Sequence, residues 1–213
     1  MTTPDDFDSH DTLPTGAPTV DPYDAVPPGE EVPRARTPLT MTGLVEALIG
    51  GHRHTYGTWP SPERVRAATC MLGVEHGGVP PGETRASPAY HLWCNNVGNV
   101  DAGGAWQGDW FSLTADEVIR GKRAPMTKRL RAHADATTGA ADYWDLLKSK
   151  RFTWDAGDGL VIRALDAADQ GDLDGFARSL KAGRWFTGPV DGPDGYIAGM
   201  TAWAKVYDRS FGI

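Results

Sequence analysis

Ser61-Pro62-Glu63-Arg64-Val65-Arg66-Ala67-Ala68-Thr69-Cys70-Met71-Leu72-Gly73-Val74-Glu75-His76-Gly77-Gly78 is the stretch on which the fold turns. Serine caps a helix and proline fits its first turn, so Ser61-Pro62 marks a start. Gly77-Gly78 marks the stop. Glu75 therefore falls at a helix C-terminus, where the aligned peptide dipoles already place partial negative charge. The dipole, together with desolvation beside Leu72 and Val74, makes this carboxyl group hold its proton more tightly than a free one. A carboxylic acid still protonated near neutral pH is what protonates the leaving oxygen of a glycoside. A lone glutamate near a helix end is more often a solvated surface acid, so its neighbours decide the reading.

Upstream, Leu44, Val45, Leu48 and Ile49 form a short helical face that is expected to stop at Gly50-Gly51. Residues 79–125 lose that period and are rich in Gly, Pro, Asn and Trp, with extended pieces near Trp106–Leu113 that suit a small hairpin. Helices resume after Thr137 or Thr138, with Tyr143, Leu146 and Leu147 on one face. Another is expected from Asp155 to Ala168, a third capped by Asp172, and a last one carrying Tyr196, Met200, Trp203 and Tyr207. The pattern predicts an α+β domain, predominantly helical, over residues 41–213.

Residues 1–40 differ in kind. They hold eight of the 16 prolines and eight acids against two arginines, with little periodic apolar character. Such a segment buries too little surface to offset its chain entropy, so it is expected to be a flexible, disordered acidic arm, suited to tether the domain to a larger assembly.

Trp93-Cys94-Asn95-Asn96-Val97-Gly98-Asn99 follows Glu75 after about twenty residues. Three amides in five positions supply donors and acceptors without charge, suited to hydroxyl and acetamido groups, although asparagine also favours turns for local reasons. The order Glu75-His76-Gly77 … Asn95-Asn96-Val97-Gly98-Asn99 resembles the Glu-(Thr/Ser)-Gly … Asn-Asn-x-Gly-Asn pattern of lysozyme-like cell-wall hydrolases. It is most similar to bacterial and phage N-acetylglucosaminidases of the flagellar-muramidase type (glycoside hydrolase family 73-like). The resemblance extends through Leu113–Gly121, Arg129–His133, Gly139–Leu147 and Arg184–Thr187 with Tyr196, and covers about residues 42–210. His76 departs from it, replacing a small hydroxyl residue, as do the prolines of residues 80–88 and Leu130 and His133 in place of aromatics.

The resemblance implies a lysozyme-like fold with a small β-hairpin insertion and cleavage of the β-1,4 bond between amino sugars of peptidoglycan strands. Glu75 would be the general acid, and Glu117 the second catalytic group, with Asp116, Asp109 and Asp101 as alternatives. That partner acts as nucleophile at roughly 5–5.5 Å or activates water at roughly 6.5–9.5 Å. Asn95, Asn96, Asn99, Trp106, Tyr143, Trp185 and Tyr196 are the expected substrate contacts; Tyr143 and Tyr196 also sit at core spacing. N-acetylglucosaminidase, muramidase and lytic transglycosylase chemistries all remain open, as does a non-catalytic peptidoglycan-binding component with the same cleft.

Other classes have weaker support. The net charge of −7 lies mostly in residues 1–40, and the near-neutral remainder carries no footprint for nucleic acid. The six histidines show no metal-ligand spacing, so no metal and no cofactor are expected. A Cys-dependent amidase would use Cys94 or Cys70, for which no companion His-Asp arrangement is legible; a disulfide between them and two reduced thiols are both compatible with the sequence. No basic-then-apolar leader and no membrane-length apolar run is legible. Synthesis in the cytoplasm with delivery to the wall by another route, such as a virion or other cell-puncturing apparatus, is the expectation.

Overall fold

The computed structural model of the chain describes residues 26–76, 89–119, 122–185 and 192–213. Thr40 opens helix α1 (Met41–Tyr56), its hydroxyl accepting from the Gly43 N–H at 3.1 Å, and Gly57 closes it in the left-handed region at φ 72°. The expected stop at Gly50-Gly51 is not observed. These glycines instead let a second helix approach, because a Cβ at Gly51 would lie 2.6 Å from the Ala141 nitrogen. That partner is α3 (Ala136–Leu147), bound further by Trp144 Nε1 donating to the Leu48 carbonyl at 2.8 Å and Thr55 Oγ1 to that of Ala141 at 3.0 Å. Close packing, not chain breaking, explains the glycine pair.

Helix α2 (Pro62–His76) starts as the sequence predicts, with Ser61 Oγ accepting from the Arg64 N–H at 3.1 Å. Its apolar residues Val65, Ala68, Met71 and Leu72 sit in the main core beside Leu44, Leu48, Trp144 and Phe176. Gly77 and Gly78 lie outside the described residues.

The segment read as one helix from Asp155 to Ala168 is instead a hairpin, β5 (Thr153–Gly157) with β6 (Leu160–Arg163), followed by the short helix α4 (Ala164–Asp169). Asp158-Gly159 forms its turn with φ of 51° and 77°, the pair of positive values that a primed hairpin turn requires. The Asp-Gly signal overrides the apolar spacing of Leu160, Ala164 and Leu165. Helix α5 (Leu173–Ala182) is capped by Asp172 as expected, and α6 (Gly192–Phe211) brings Met200, Trp203 and Tyr207 into the core.

Strand pairing also redraws the arm. Strand β1 (Arg36–Thr40) runs antiparallel to β2 (Ala89–Trp93), and the Val32 N–H donates to the Trp110 carbonyl at 2.8 Å. Residues 26–40 thus belong to the folded body, whereas residues 1–25 lie outside the described residues. The central hairpin is longer than the expected Trp106–Leu113 pieces: β3 (Trp110–Ile119) pairs antiparallel with β4 (Lys122–Arg131). Its base is held by a small cluster of Cys94, Phe111 and Leu130.

Helix α2 lies so close to α6 that a methyl group at Gly73 would sit 2.3 Å from Trp203 Cδ2. Gly73→Ala should therefore lose about 1–3 kcal/mol by overpacking, against the roughly 1 kcal/mol that alanine gains in helix propensity. Denaturant unfolding checks this, and an unchanged or raised midpoint would show that the two helices are free to separate.

Candidate active site

Glu75 sits in the last turn of α2 and lines a cleft of about 550 Å³ together with Asn99, Asp101, Lys128, Arg131 and Trp185. Three elements meet at its carboxylate. From α6, Tyr196 Oη donates to Oε1 at 2.7 Å. The Trp185 indole, just past α5, donates a second hydrogen bond, and Lys128 on β4 contributes its charge. Burial raises the carboxyl pKa above its usual value; the Tyr196 and Trp185 hydrogen bonds and then Lys128 pull it part of the way back. Desolvation is thus the cause that matters most here, as one of the two causes read from the sequence.

His76, the departure from the resembled pattern, has a structural role that the sequence does not reveal. It is buried, and its Nε2–H donates to the Val97 carbonyl at 2.8 Å, which fixes the tautomer. Burial lowers its pKa to about 4, the hydrogen bond opposing, so the ring is neutral through the physiological range. The residue after Glu75 therefore ties the end of α2 to the asparagine loop.

Within that loop the three amides divide their roles. Asn96 is buried, with Nδ2 donating to the Val100 carbonyl at 2.9 Å and Oδ1 accepting from the Val100 N–H at 2.8 Å. Its carboxamide bonds its own loop and is not offered to a sugar, a correction to its expected contact. Asn95 Nδ2 likewise donates to the His133 carbonyl at 2.8 Å. Asn99 lines the cleft. Asn95 and Asn99 have φ of 57° and 50°, left-handed values that asparagine tolerates better than most residues. The turn-forming alternative therefore applies to Asn95 and Asn96.

The aromatic residues divide similarly. Trp185 borders the cleft and packs edge-on against Tyr143 with ring centroids 5.7 Å apart. Tyr143 is fully buried, and its hydroxyl has no hydrogen-bond partner among the described residues. Burial and then the Glu75 charge raise its pKa, which makes it an electrostatic neighbour of the acid and a packing residue rather than a sugar contact. Trp106, an expected sugar contact, does not line the cleft; the cleft-lining Arg131 guanidinium lies 4.6 Å from its ring centroid, and its Nε1 donates to the Asp109 carbonyl at 2.8 Å.

Glu117 pairs with Ala124 in the β3–β4 ribbon, four residues beyond Leu113, whose partner is the cleft-lining Lys128. Its side chain lies outside the described residues, as does that of Asp116. Asp109 is exposed and does not border the cleft, whereas Asp101 shares it with Glu75. The cations there are not announced by any local pattern in the sequence: Lys128 and Arg131 come from β4, and Arg151 and Arg184 from two further segments.

The cysteines are buried and unbonded. Burial pushes the Cys70 thiol up to about 12, and Cys94 Sγ accepts from the Ala35 N–H at 3.3 Å within the small cluster of Phe111 and Leu130. Neither arrangement suits an activated nucleophile.

No family model matches this sequence, and no curated protein is significantly similar to it. Solved structures are similar. A peptidoglycan hydrolase mutant from Sphingomonas sp. A1 aligns with a TM-score of 0.53 at 21% identity, covering 78% of this chain and 97% of that one. The peptidoglycan hydrolase from the same source aligns at 0.50 and 20% identity, covering 78% and 93%. The glycoside hydrolase domain of Salmonella typhimurium FlgJ aligns at 0.47 and 15%, covering 82% and 92%. At these identities the likeness to the two Sphingomonas structures establishes one thing, the fold: this chain has the lysozyme-like α+β architecture that its sequence resembles.

Proposed function

We propose that the chain is a peptidoglycan glycan-strand hydrolase that cleaves the β-1,4 bond between amino sugars, with Glu75 as general acid. The observation that carries this reading is the Glu75 carboxyl itself: it borders an open cleft, burial raises its pKa, and Tyr196 fixes one of its oxygens. The shared fold with two peptidoglycan hydrolases supports the choice of polymer. The proton of the Glu75 carboxyl group passes to the glycosidic oxygen as the bond breaks, while Tyr196 holds Oε1 in place. The positive charge that develops on the sugar ring then needs a carboxylate, a water activated by one, or the substrate's own acetamido group. Asp101, which shares the cleft, and Glu117 on β3 are the two candidates for that carboxylate. The acidic, proline-rich composition of residues 1–40 suits a tether to a phage particle or another cell-puncturing apparatus.

Glu75→Gln should lower the rate of glycan cleavage about 10²- to 10⁴-fold, the usual contribution of a positioned acid. Mass analysis of fragments from purified cell wall measures this and also separates hydrolysed from anhydro ends. Equal product from both proteins would remove Glu75 from the mechanism. Absence of product from either, with strands still bound, would favour a binding component. Asp101→Asn and Glu117→Gln, assayed side by side, identify the second group as the one whose loss is comparably severe.

The raised pKa makes two signed predictions. Native protein binds the Glu75 proton more tightly than the unfolded chain, so this group lowers stability as pH rises from the ordinary carboxylate range through its folded pKa. Glu75→Gln should therefore melt at a higher temperature than native protein near neutral pH, with the difference vanishing in acid; a lower melting point at neutral pH would contradict the burial argument. Tyr196→Phe removes the hydrogen bond that favours the carboxylate. It should move the alkaline limb of the kcat/KM profile to higher pH, and a shift to lower pH would show that Tyr196 instead stabilises the protonated acid.

A further inference from the structure

Residues 41–213 carry nearly balanced charge, yet the cleft does not. Lys128 and Arg131 enter it from β4, Arg151 from the turn after α3, and Arg184 from the end of α5. Facing them are Asp101 and Glu75, whose own carboxyl is held toward neutrality by burial. Arg131 is partly compensated by Asp142 at 2.5 Å, but Arg151 and Arg184 are exposed at the rim.

Arg184 is informative in a second way. It occupies the left-handed position that closes α5, at φ 58°, with the Trp185 N–H returning to the Leu180 carbonyl at 2.9 Å. Glycine is the usual occupant of that position, so the backbone gives arginine no advantage there and the side chain supplies the reason for it. Next to the cleft lies a second hollow of about 410 Å³ that shares Arg131 and Leu146 with it, but Asp142 and Asp145 balance the charge of Arg131 and Lys148 there, so the excess of cations is confined to the cleft itself. An uncharged amino-sugar chain has no use for such cations. Peptidoglycan differs from a plain amino-sugar polymer in the lactyl group on alternate sugars, which ends either in a free carboxylate or in a peptide bearing carboxylates.

We infer that the cationic rim formed by Lys128, Arg131, Arg151 and Arg184 is a binding site for carboxylates branching from the glycan strand, which makes the preferred substrate an anionic strand. This deepens the hydrolase reading and rests on it for the identity of the polymer. The rim acts on strand selection and entry, and Glu75 acts on the bond.

The test compares fluorescently labelled strands of one length: denuded strands with free lactyl carboxylates, the same strands with those carboxylates converted to methylamides, and strands retaining their peptides. Binding is measured by anisotropy with Glu75→Gln protein, and cleavage by native protein is followed in parallel. Carboxylate-bearing strands should bind about five- to tenfold more tightly than the methylamide strands at low salt, in line with a few exposed ion pairs. The difference should collapse at about 1 M salt, where the Debye length falls to about 3 Å. Arg184→Gly, which suits the backbone at that position, combined with Arg151→Gln should shrink the preference while the protein stays folded.

Tighter binding of denuded strands assigns the rim to lactyl carboxylates, and tighter binding of peptide-bearing strands alone assigns it to the peptide; both support the inference. Equal affinity for carboxylate and methylamide strands at low salt would overturn it, as would equally tight binding of a single-stranded oligonucleotide, which would mark a general polyanion surface. Loss of cleavage of every strand with the binding preference intact would instead fault the hydrolase reading alone.

Discussion

The distance between α2 and α6 governs the cleft, and it is set where the Gly73 backbone meets the indole of Trp203. A larger residue at Gly73 would push α6 away, and with it Tyr196, whose hydroxyl holds Glu75 Oε1. The acid depends on that distance twice. Packing excludes water from its carboxyl and raises its pKa, and the same packing brings the tyrosine that limits the rise. The opposite end of α2 is also fixed, through Ser61 and through Arg64 paired with Asp169 of α4. A helix held at both ends and along its middle presents its last turn with little freedom, which proton transfer over a single bond length requires.

His76 extends this rigidity to the loop. With α2 fixed, its Nε2–H to the Val97 carbonyl locates the asparagine loop relative to Glu75, and Asn96 then closes that loop on Val100. Burial keeps His76 uncharged above about pH 4, so no new charge appears beside Glu75 as the acid titrates, and the Nε2–H donor to Val97 is present throughout. A change in protonation of the acid therefore leaves the neighbouring wall in place.

Much of the framework is legible in the sequence because local chemistry specifies it. Ser61-Pro62 and Asp172 mark helix starts, Glu75 shows as an acid at the wrong end of a dipole, and Tyr196 to Tyr207 keep helical spacing. The misreadings have physical causes. Gly50-Gly51 looks like a stop because the contact requiring glycine, Ala140 and Ala141 of α3, lies some ninety residues away in sequence. Leu160, Ala164 and Leu165 match a helical period, but Asp158-Gly159 commits the chain to a turn first. Asn96 and Tyr143 look like ligand contacts because sequence shows which groups a side chain carries, not which of them folding has already satisfied or buried. The cationic cleft was invisible for a related reason: its members come from three segments whose charges, taken one segment at a time, look like ordinary solvated surface.

Beyond its base, the β3–β4 ribbon is a two-stranded sheet, and a sheet of two strands has two edges. Such edges are templates on which strands of other copies add, the usual first step toward self-association. The composition of β4, Lys122-Arg123-Ala124-Pro125-Met126-Thr127-Lys128-Arg129-Leu130-Arg131, works against that step. The charges of Lys128, Arg129 and Arg131 would be set against those of an incoming copy, and Pro125 offers no N–H to continue a ladder. The same basic segment that contributes Lys128 and Arg131 to the cleft thus also helps to keep neighbouring molecules from stacking edge to edge.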